Sequence, residues 1–457
     1  MAIIKKPVKE FDNPYSVGKA IAEGNAATRL SMLIMGAGNM AHRQVAKGLL
    51  FLAVEAAYIW FMLTNGIQNI QNFLALGGRP QEEVWNEAKG IYEYTAGDST
   101  ILFLLYGVAT VCITIAFIVA WRASMKSAYQ VQCRAREGRH INTIGEDVKS
   151  LFDKKLHWTL LPPPIMGIIV FTILPLIFMI CMAFTSYSKV DDHLTLFHWV
   201  GLKNFGTVLG MGNNIGKTFW SVLGWTLVWA VFATFLNYIL GMILAIVINR
   251  KTTRLKGFWR FCFMLSAAIP QFVSLLLMRS MLRESGLINV MLQNAGIISS
   301  PLPFLSNAAW ARVVVIVINL WVGIPFTMMQ VTGILQNIPN DLYEAAKVDG
   351  ANTVTIFFKI TLPYMLFVTT PYLITTFTGN INNFNVIYLL TKGEPVPVGY
   401  TAGKTDLLVT WLYKLTVDQQ YYNVGAVVGI LTFLILAVVS LVTYRNTGSY
   451  KNEEGFQ

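Results

Sequence analysis

Apolar runs of about 20 residues recur along this chain, and each is long enough to cross a hydrocarbon layer of roughly 30 Å as a helix. A backbone in lipid must satisfy its own N–H and C=O groups, so helices are the default spanning element. Eight candidate spans are read, at 48–66, 99–121, 158–183, 218–248, 258–280, 309–333, 363–390 and 423–444. The chain of 457 residues is 54% hydrophobic and 13% charged, against about 25% charged in a soluble domain, so a soluble core does not account for the runs. The expected fold is all-α, a polytopic transmembrane helical bundle.

Orientation follows from where Lys and Arg stand. The segment before the first run carries Lys5, Lys6, Lys9, Lys19, Arg29, Arg43 and Lys47. The loop after the second run carries Arg122, Lys126, Arg134, Arg136, Arg139, Lys149, Lys154 and Lys155, and the loop after the fourth Arg250, Lys251, Arg254, Lys256 and Arg260. The loop at 67–98 instead has Arg79 and Lys89 against Glu82, Glu83, Glu87, Glu93 and Asp98. The alternation puts both termini in the cytoplasm of a multi-pass plasma-membrane protein. The expected organisation is a cytoplasmic segment at 1–47, a helix pair at 48–121, a basic cytoplasmic linker at 122–157, a six-span core at 158–444 and a cytoplasmic tail at 445–457.

The net charge of +11 is read as this loop bias, not as nucleic-acid binding, since no compact module carries it. The four cysteines and five histidines lack metal-ligand spacing, and His193 and His198 are read as ordinary loop residues. Gly36-Ala37-Gly38-Asn39-Met40-Ala41 resembles a dinucleotide fingerprint but precedes a span, not a βαβ unit; an interfacial amphipathic segment is the better reading. Met211-Gly212-Asn213-Asn214-Ile215-Gly216-Lys217-Thr218 has Met211 where a phosphate loop needs glycine. No ATPase site is therefore expected in this chain, and no cofactor.

The most informative stretch is 338–363. Pro339 suits a helix start, Asn340 or Asp341 can cap it, Gly350 suits a left-handed stop and Asn352 can cap a second short helix. Glu344-Ala345-Ala346, Gly350 and Ile360-Thr361-Leu362-Pro363 stand in register with Glu-Ala-Ala, three residues, Gly, nine residues, Ile, one residue, Leu-Pro. The stretch resembles the EAA loop of ABC importer permeases. The resemblance implies that Glu344, Ala345, Ala346, Asp349 and Gly350 form a coupling knob seated in a separate ATPase subunit. ATP and magnesium would be bound there.

Asn319-Leu320-Trp321-Val322-Gly323-Ile324-Pro325-Phe326 resembles the corresponding segment of maltose-type permeases, as do Asn380-Ile381-Asn382-Asn383-Phe384, Leu389-Leu390-Thr391-Lys392-Gly393 and Thr405-Asp406-Leu407-Leu408-Val409. Asn319, Gly323 and Phe326 share one helical stripe, and Asn380 and Asn383 are spaced i, i+3 with Phe377 and Phe384 alongside. Amides are costly in lipid unless bonded. They either meet sugar hydroxyls or bond neighbouring helices, and both readings stand at this stage. Asn319, Val322, Gly323, Phe326, Asn380 and Asn383 are the candidate substrate contacts, with Gly323 letting substrate approach the backbone.

The resemblance implies a permease subunit of a binding-protein-dependent ABC importer of the maltose and malto-oligosaccharide type. Its partners would be a second related permease subunit, two ATP-binding cassette ATPases, an extracellular solute-binding protein, an oligosaccharide and membrane lipid. Two departures bear on maltose itself. Phe326 stands where those permeases have an aromatic hydroxyl, and 184–217 lacks a large external insert, which suggests a Gram-positive source. The rival classes are a glycerol-phosphate permease, which would place Arg or Lys in the path, and a secondary transporter, which would place ionisable groups near the midplane. Glu55 is the clearest such acid and lies outside the expected core.

Overall fold

The long apolar runs leave their backbones one low-cost conformation, and the computed structural model is helical almost throughout. It describes residues 15–87, 89–94, 96–189, 194–250 and 252–445. Lys5, Lys6, Lys9, His193, Lys251 and the tail beyond Arg445 lie outside the described residues. Among the described residues, seven helices are long and apolar enough to span a membrane: Val45–Ala75, Thr100–Arg136, His157–Met182, Asn214–Asn249, Ala308–Gln336, Thr353–Leu390 and Tyr422–Arg445. The run expected as an unbroken fifth span is two helices, Lys256–Ala268 and Gln271–Met281, bent by 75° at the break. Pro270 explains the break: a proline excludes the helical conformation from the residue before it, and Ile269 is extended at φ −83° and ψ 130°.

The fold divides into two compact units, one running to Tyr187 and including the segment that ends at Trp199, the other from Val200 onward. In the first, Thr100–Arg136 continues well past its apolar part, and its polar end is the platform for the segment before the first span. Ala20 packs on Met125 and Tyr129, and the Asn25 N–H donates to Gln132 Oε1 at 2.9 Å. The third span also packs here. Phe178, Cys181 and Met182 lie against Leu76, Leu104 and Phe197. A short antiparallel hairpin, Glu83–Asn86 with Ile91–Tyr94, projects between the first two spans. Gly36 and Gly38 sit in a turn and a five-residue helix, Ala37–Ala41, with no strand among the described residues before them.

In the second unit, Asn214–Asn249 packs closely on Ala308–Gln336, and a Cβ at Gly241 would stand 2.7 Å from Thr327 Cβ. One apolar core joins Trp229, Leu275, Val315, Ile387 and Leu407; another joins Tyr238, Met242, Met328 and Met365. Asn213 caps Asn214–Val231 by accepting from the Gly216 N–H at 2.8 Å. That is the structural role of the stretch around Gly212 and Gly216. The connection before the last span is held by a buried carboxylate. Asp406 accepts from Lys414 Nζ at 2.6 Å, from the Gly403 N–H at 2.7 Å and from the Thr410 hydroxyl at 2.9 Å. Burial pushes this carboxyl up, against Lys414 and the other donors, which favour its ionised form.

Candidate functional site

Polar side chains in otherwise apolar helices face an interior or a cavity, and in the second unit several converge on one. Ala308–Gln336 presents Asn319, Val322, Gly323, Phe326 and Thr327, residues that share one helical stripe, to a cavity of about 420 Å³. Leu362–Ile381 presents Tyr372, Thr376 and Asn380, each one turn beyond the last. The broken element adds Ser266, Ala268, Ile269, Pro270, Gln271 and Ser274. Irregular backbone at membrane depth is tolerated where it lines a cavity, and the bend at Pro270 does so here. The size falls in the range of about 300–1,000 Å³ usual for small-molecule sites. Among the described residues that line it, none is charged.

Five of the six residues expected to contact substrate therefore share one cavity. The sixth, Asn383, stands apart. The helix ends at Ile381 and a turn follows, in which the Asn383 N–H donates to the Asn380 backbone carbonyl at 3.2 Å while Asn383 itself does not line the cavity. Asn383 instead caps the next helix, Phe384–Leu390, by accepting from the Val386 N–H at 3.3 Å, and Phe384 stacks on Tyr388. Asn380 is partly engaged between helices: its Nδ2 donates to Thr234 Oγ1 at 2.9 Å, and its carbonyl accepts from Trp229 Nε1 at 3.0 Å.

Asn237 is one of several cavity residues that sequence reasoning passed over. It follows a widened helical turn, Phe232–Leu236, and its Oδ1 is buried without a hydrogen-bond partner. It also accounts for Gly323. A Cβ there would stand 2.0 Å from Asn237 Nδ2, so the missing side chain makes room for this amide and not for a substrate at the backbone. An isolated amide within the apolar run 218–248 is the signal that marks Asn237, by the same desolvation cost that marks Asn319.

The second feature lies at the end of the same helices. The knob helix runs Asn340–Val348 with Pro339, not Asn340 or Asp341, in the cap position, and it ends at Gly350, φ +75°. Only glycine takes that conformation without cost. Asn352 caps the following Thr353–Ile356 by accepting from the Thr355 N–H at 2.8 Å. Tyr343 and Thr361 hydroxyls, 3.2 Å apart, tie knob to next span. Glu344, Ala345, Asp349 and Gly350 are exposed, Ala346 is half-buried, and Val348 is 87% exposed. The knob therefore presents an exposed face of mixed apolar and acidic side chains. Beneath it a pocket of about 510 Å³ is lined by Arg250, Tyr343, Glu344 and Lys347.

Known proteins resemble the whole chain. The chain is 32% identical over 440 residues to the maltodextrin transport system permease protein MdxF of Bacillus subtilis, covering 93% of this chain and 96% of that one. It is 32% identical over 432 residues to the galactooligosaccharides transport system permease protein GanP of the same organism, covering 93% and 98%. A solved bacterial ABC transporter involved in the import of the acidic polysaccharide alginate has a chain that superposes with a TM-score of 0.52 at 23% identity. The match covers 65% of this chain and 96% of that one, which supports the fold. Residues 237–447, which hold the cavity helices and the knob, match the family described as binding-protein-dependent transport system inner membrane component. With relatives this similar along nearly all of its length, the chain belongs to that family, as a multi-pass permease of the cell membrane.

Proposed function

We propose that the chain is one membrane subunit of an ATP-driven importer that takes up neutral oligosaccharides of the maltodextrin type. The observation that carries this is the cavity: amides, hydroxyls and aromatic rings with no charged side chain among the described residues that line it. Such a lining offers donors and acceptors to sugar hydroxyls and flat faces to the apolar side of a sugar ring. A phosphorylated solute would be left without the cationic partner it needs. A proton or sodium couple would be left without a carboxylate. Phe326 has no hydroxyl, but Tyr372 in the same cavity supplies a phenol. The relatives' names, maltodextrin and galactooligosaccharides, point to the same class of solute.

In this reading the knob at 340–350 docks on an ATP-binding cassette subunit, and a second, related permease subunit carries the other knob of a motor that works as an ATPase pair. ATP and magnesium belong to those ATPases. A solute-binding protein delivers the sugar outside, both termini lie in the cytoplasm, and the short connection at 184–217 fits a Gram-positive cell. ATP binding closes the ATPase pair, and the knobs carry that closure to the cavity. The sugar shifts the equilibrium only by its differential affinity for the two states.

Affinity purification of the full-length chain from its native membrane, with uptake of labelled maltotriose, galactotriose and glycerol 3-phosphate, tests the reading. ATPase subunits in the eluate and saturable maltotriose uptake are expected. Preference for galactotriose would move the solute within the class, and uptake of glycerol 3-phosphate alone would overturn it.

A further inference from the structure

Residues 30–41 form a stretch without charge between Arg29 and Arg43. Its turn, at 31–36, presents Leu30, Met32, Leu33 and Ile34 outward, Leu33 with 79% of its surface exposed. Loops normally expose polar side chains because their backbone groups need water. This one has its N–H groups satisfied without water. Met32, Leu33, Ile34 and Ala37 donate to the carbonyls of Arg29, Leu30, Leu30 and Ile34. The Met35 N–H donates to the Glu55 carboxylate at 2.7 Å, the Gly36 N–H to Ser124 Oγ at 3.1 Å and the Gly38 N–H to Ser31 Oγ at 2.7 Å. Trp121 Nε1–H donates to the Met32 carbonyl at 3.1 Å. Gly36, φ +84°, is pressed so closely on the first span that a Cβ would stand 2.3 Å from the Gly48 carbonyl oxygen.

N–H groups satisfied within the protein, with apolar side chains turned outward, suit a bilayer. Glu55 stands ten residues into Val45–Ala75, and the Met32 carbonyl meets Trp121, the last residue of the second apolar run. Tryptophan is enriched at the membrane interface. Next to these anchors, Leu49 and Leu50 on the first span and Ile118 and Val119 on the second are exposed apolar side chains. These belong to the lipid-facing flank of the spans, and the turn continues it. Arg43, Arg122 and Lys126 stand nearby in sequence, where headgroup phosphates would lie.

We propose that the 30–36 turn is a membrane anchor, inserted at the headgroup–acyl boundary of the leaflet on the side of the basic loops, with phospholipid as its partner. Glu55 is then no ion-coupling acid. It is the acceptor that lets a backbone turn enter lipid.

The test uses the full-length chain with Cys112, Cys133, Cys181 and Cys262 replaced. A single cysteine is placed by Leu33→Cys or, as a water reference, by Arg139→Cys. Each is labelled with an environment-sensitive fluorophore in phosphatidylglycerol–phosphatidylethanolamine vesicles. Quenching is compared between iodide in the water and a nitroxide on the upper acyl chain. Several-fold stronger nitroxide quenching and several-fold weaker iodide quenching at 33 than at 139 are expected. Iodide quenching at 33 equal to that at 139 overturns the anchor, and shielding from both quenchers overturns lipid as the occupant. Glu55→Leu leaves the Met35 N–H without its acceptor and should cut nitroxide quenching at 33. Glu55→Gln keeps an oxygen acceptor and should preserve it. Equal quenching in the two variants overturns the role given to Glu55. The wild-type glutamate background reports on the turn itself, whatever either variant does to folding.

Discussion

Gly323→Ala should change sign with the residue at 237. The added Cβ would lie 2.0 Å from Asn237 Nδ2 and 2.9 Å from its Cγ, distances no real contact keeps, so the amide must move or the two helices must part. Overpacking of this kind costs about 1–3 kcal/mol. Alanine is also preferred to glycine inside a helix by about 1 kcal/mol, which offsets part of the clash. In the Asn237→Ala background the obstructing amide is gone and only the helical preference remains, so Gly323→Ala should there stabilise by up to about 1 kcal/mol. The coupling between the two sites is the clash itself, within the range of about 0.5–3 kcal/mol seen for residues in contact. The buried Asn237 Oδ1 has no partner, so it is the softer of the two groups. Its amide should swing into the cavity and depress uptake in the single Gly323→Ala variant. Melting temperatures of the four proteins in the cycle measure this. An equal effect of Gly323→Ala in both backgrounds would refute the packing argument.

Asn319→Ala should lower apparent sugar affinity about two- to tenfold, the worth of one hydrogen bond of roughly 0.5–1.5 kcal/mol, at unchanged melting temperature. Asn380→Ala should lower both, because its Nδ2 also holds Thr234; a matched pattern in the two variants would mean that Asn319 is a helix tie as well. Glu344→Lys and Gly350→Val should reduce ATPase co-purification while sparing membrane insertion, the first by charge reversal on an exposed face and the second by a strained left-handed turn. Full ATPase recovery with both changes would remove the knob from the coupling path. Lys414→Met should cost about 3–5 kcal/mol at neutral pH by leaving the buried Asp406 carboxylate unpaired. Burial holds that carboxyl's folded value above its unfolded one, so protonation favours the fold. The loss should shrink as pH falls through the raised value, and a pH-independent loss would contradict it. Single cysteines at 122–157 should resist an impermeant thiol reagent in whole cells while those at 67–98 react; the opposite pattern would invert the orientation.

The spans were legible because burial in lipid demands long apolar runs, and the knob was legible because its constraints are local. Gly350 at φ +75° and the Asn352 cap follow from conformational preference alone. What escaped depends on distance in space. The hydropathy of 258–280 reads as one span, yet Pro270 within it bends the element and brings Ser266, Gln271 and Ser274 to the cavity. Asn383 looked equivalent to Asn380 by spacing, but spacing holds only while the helix continues, and it stops at Ile381. The reason for Gly323 lay in Asn237, 86 positions earlier in the sequence. The leader and the basic linker read as separate polar segments, and the fold unites them by the packing of Ala20 on Met125 and Tyr129 and by bonds such as Asn25 N–H to Gln132.

Cavity and knob are joined by the shortest possible route. Ala308–Gln336 carries Asn319 and ends just before the knob helix, and the span that begins at Thr353, just after it, carries Asn380. From Gln336 back to Asn319 is 17 residues, about 25 Å of helix, and from Thr353 on to Asn380 is 27, about 40 Å. Each helix has a proline in its interior between the knob and its asparagine, Pro325 in the first and Pro371 in the second, and the second also carries Pro363 in its first turn. A proline inside a helix removes an N–H and crowds the preceding turn, so helices bend there in preference. A push on the knob would therefore act on two helical levers, the second the longer. Each has its weakest point six residues from Asn319 in one helix and nine from Asn380 in the other. Lateral movement of the knob would tilt the stretches below the prolines while Asn319, Tyr372 and Asn380 change their spacing around the solute. In the proposed function, that arrangement would let one exposed loop alter affinity in a cavity about 25 Å or more away without a separate relay.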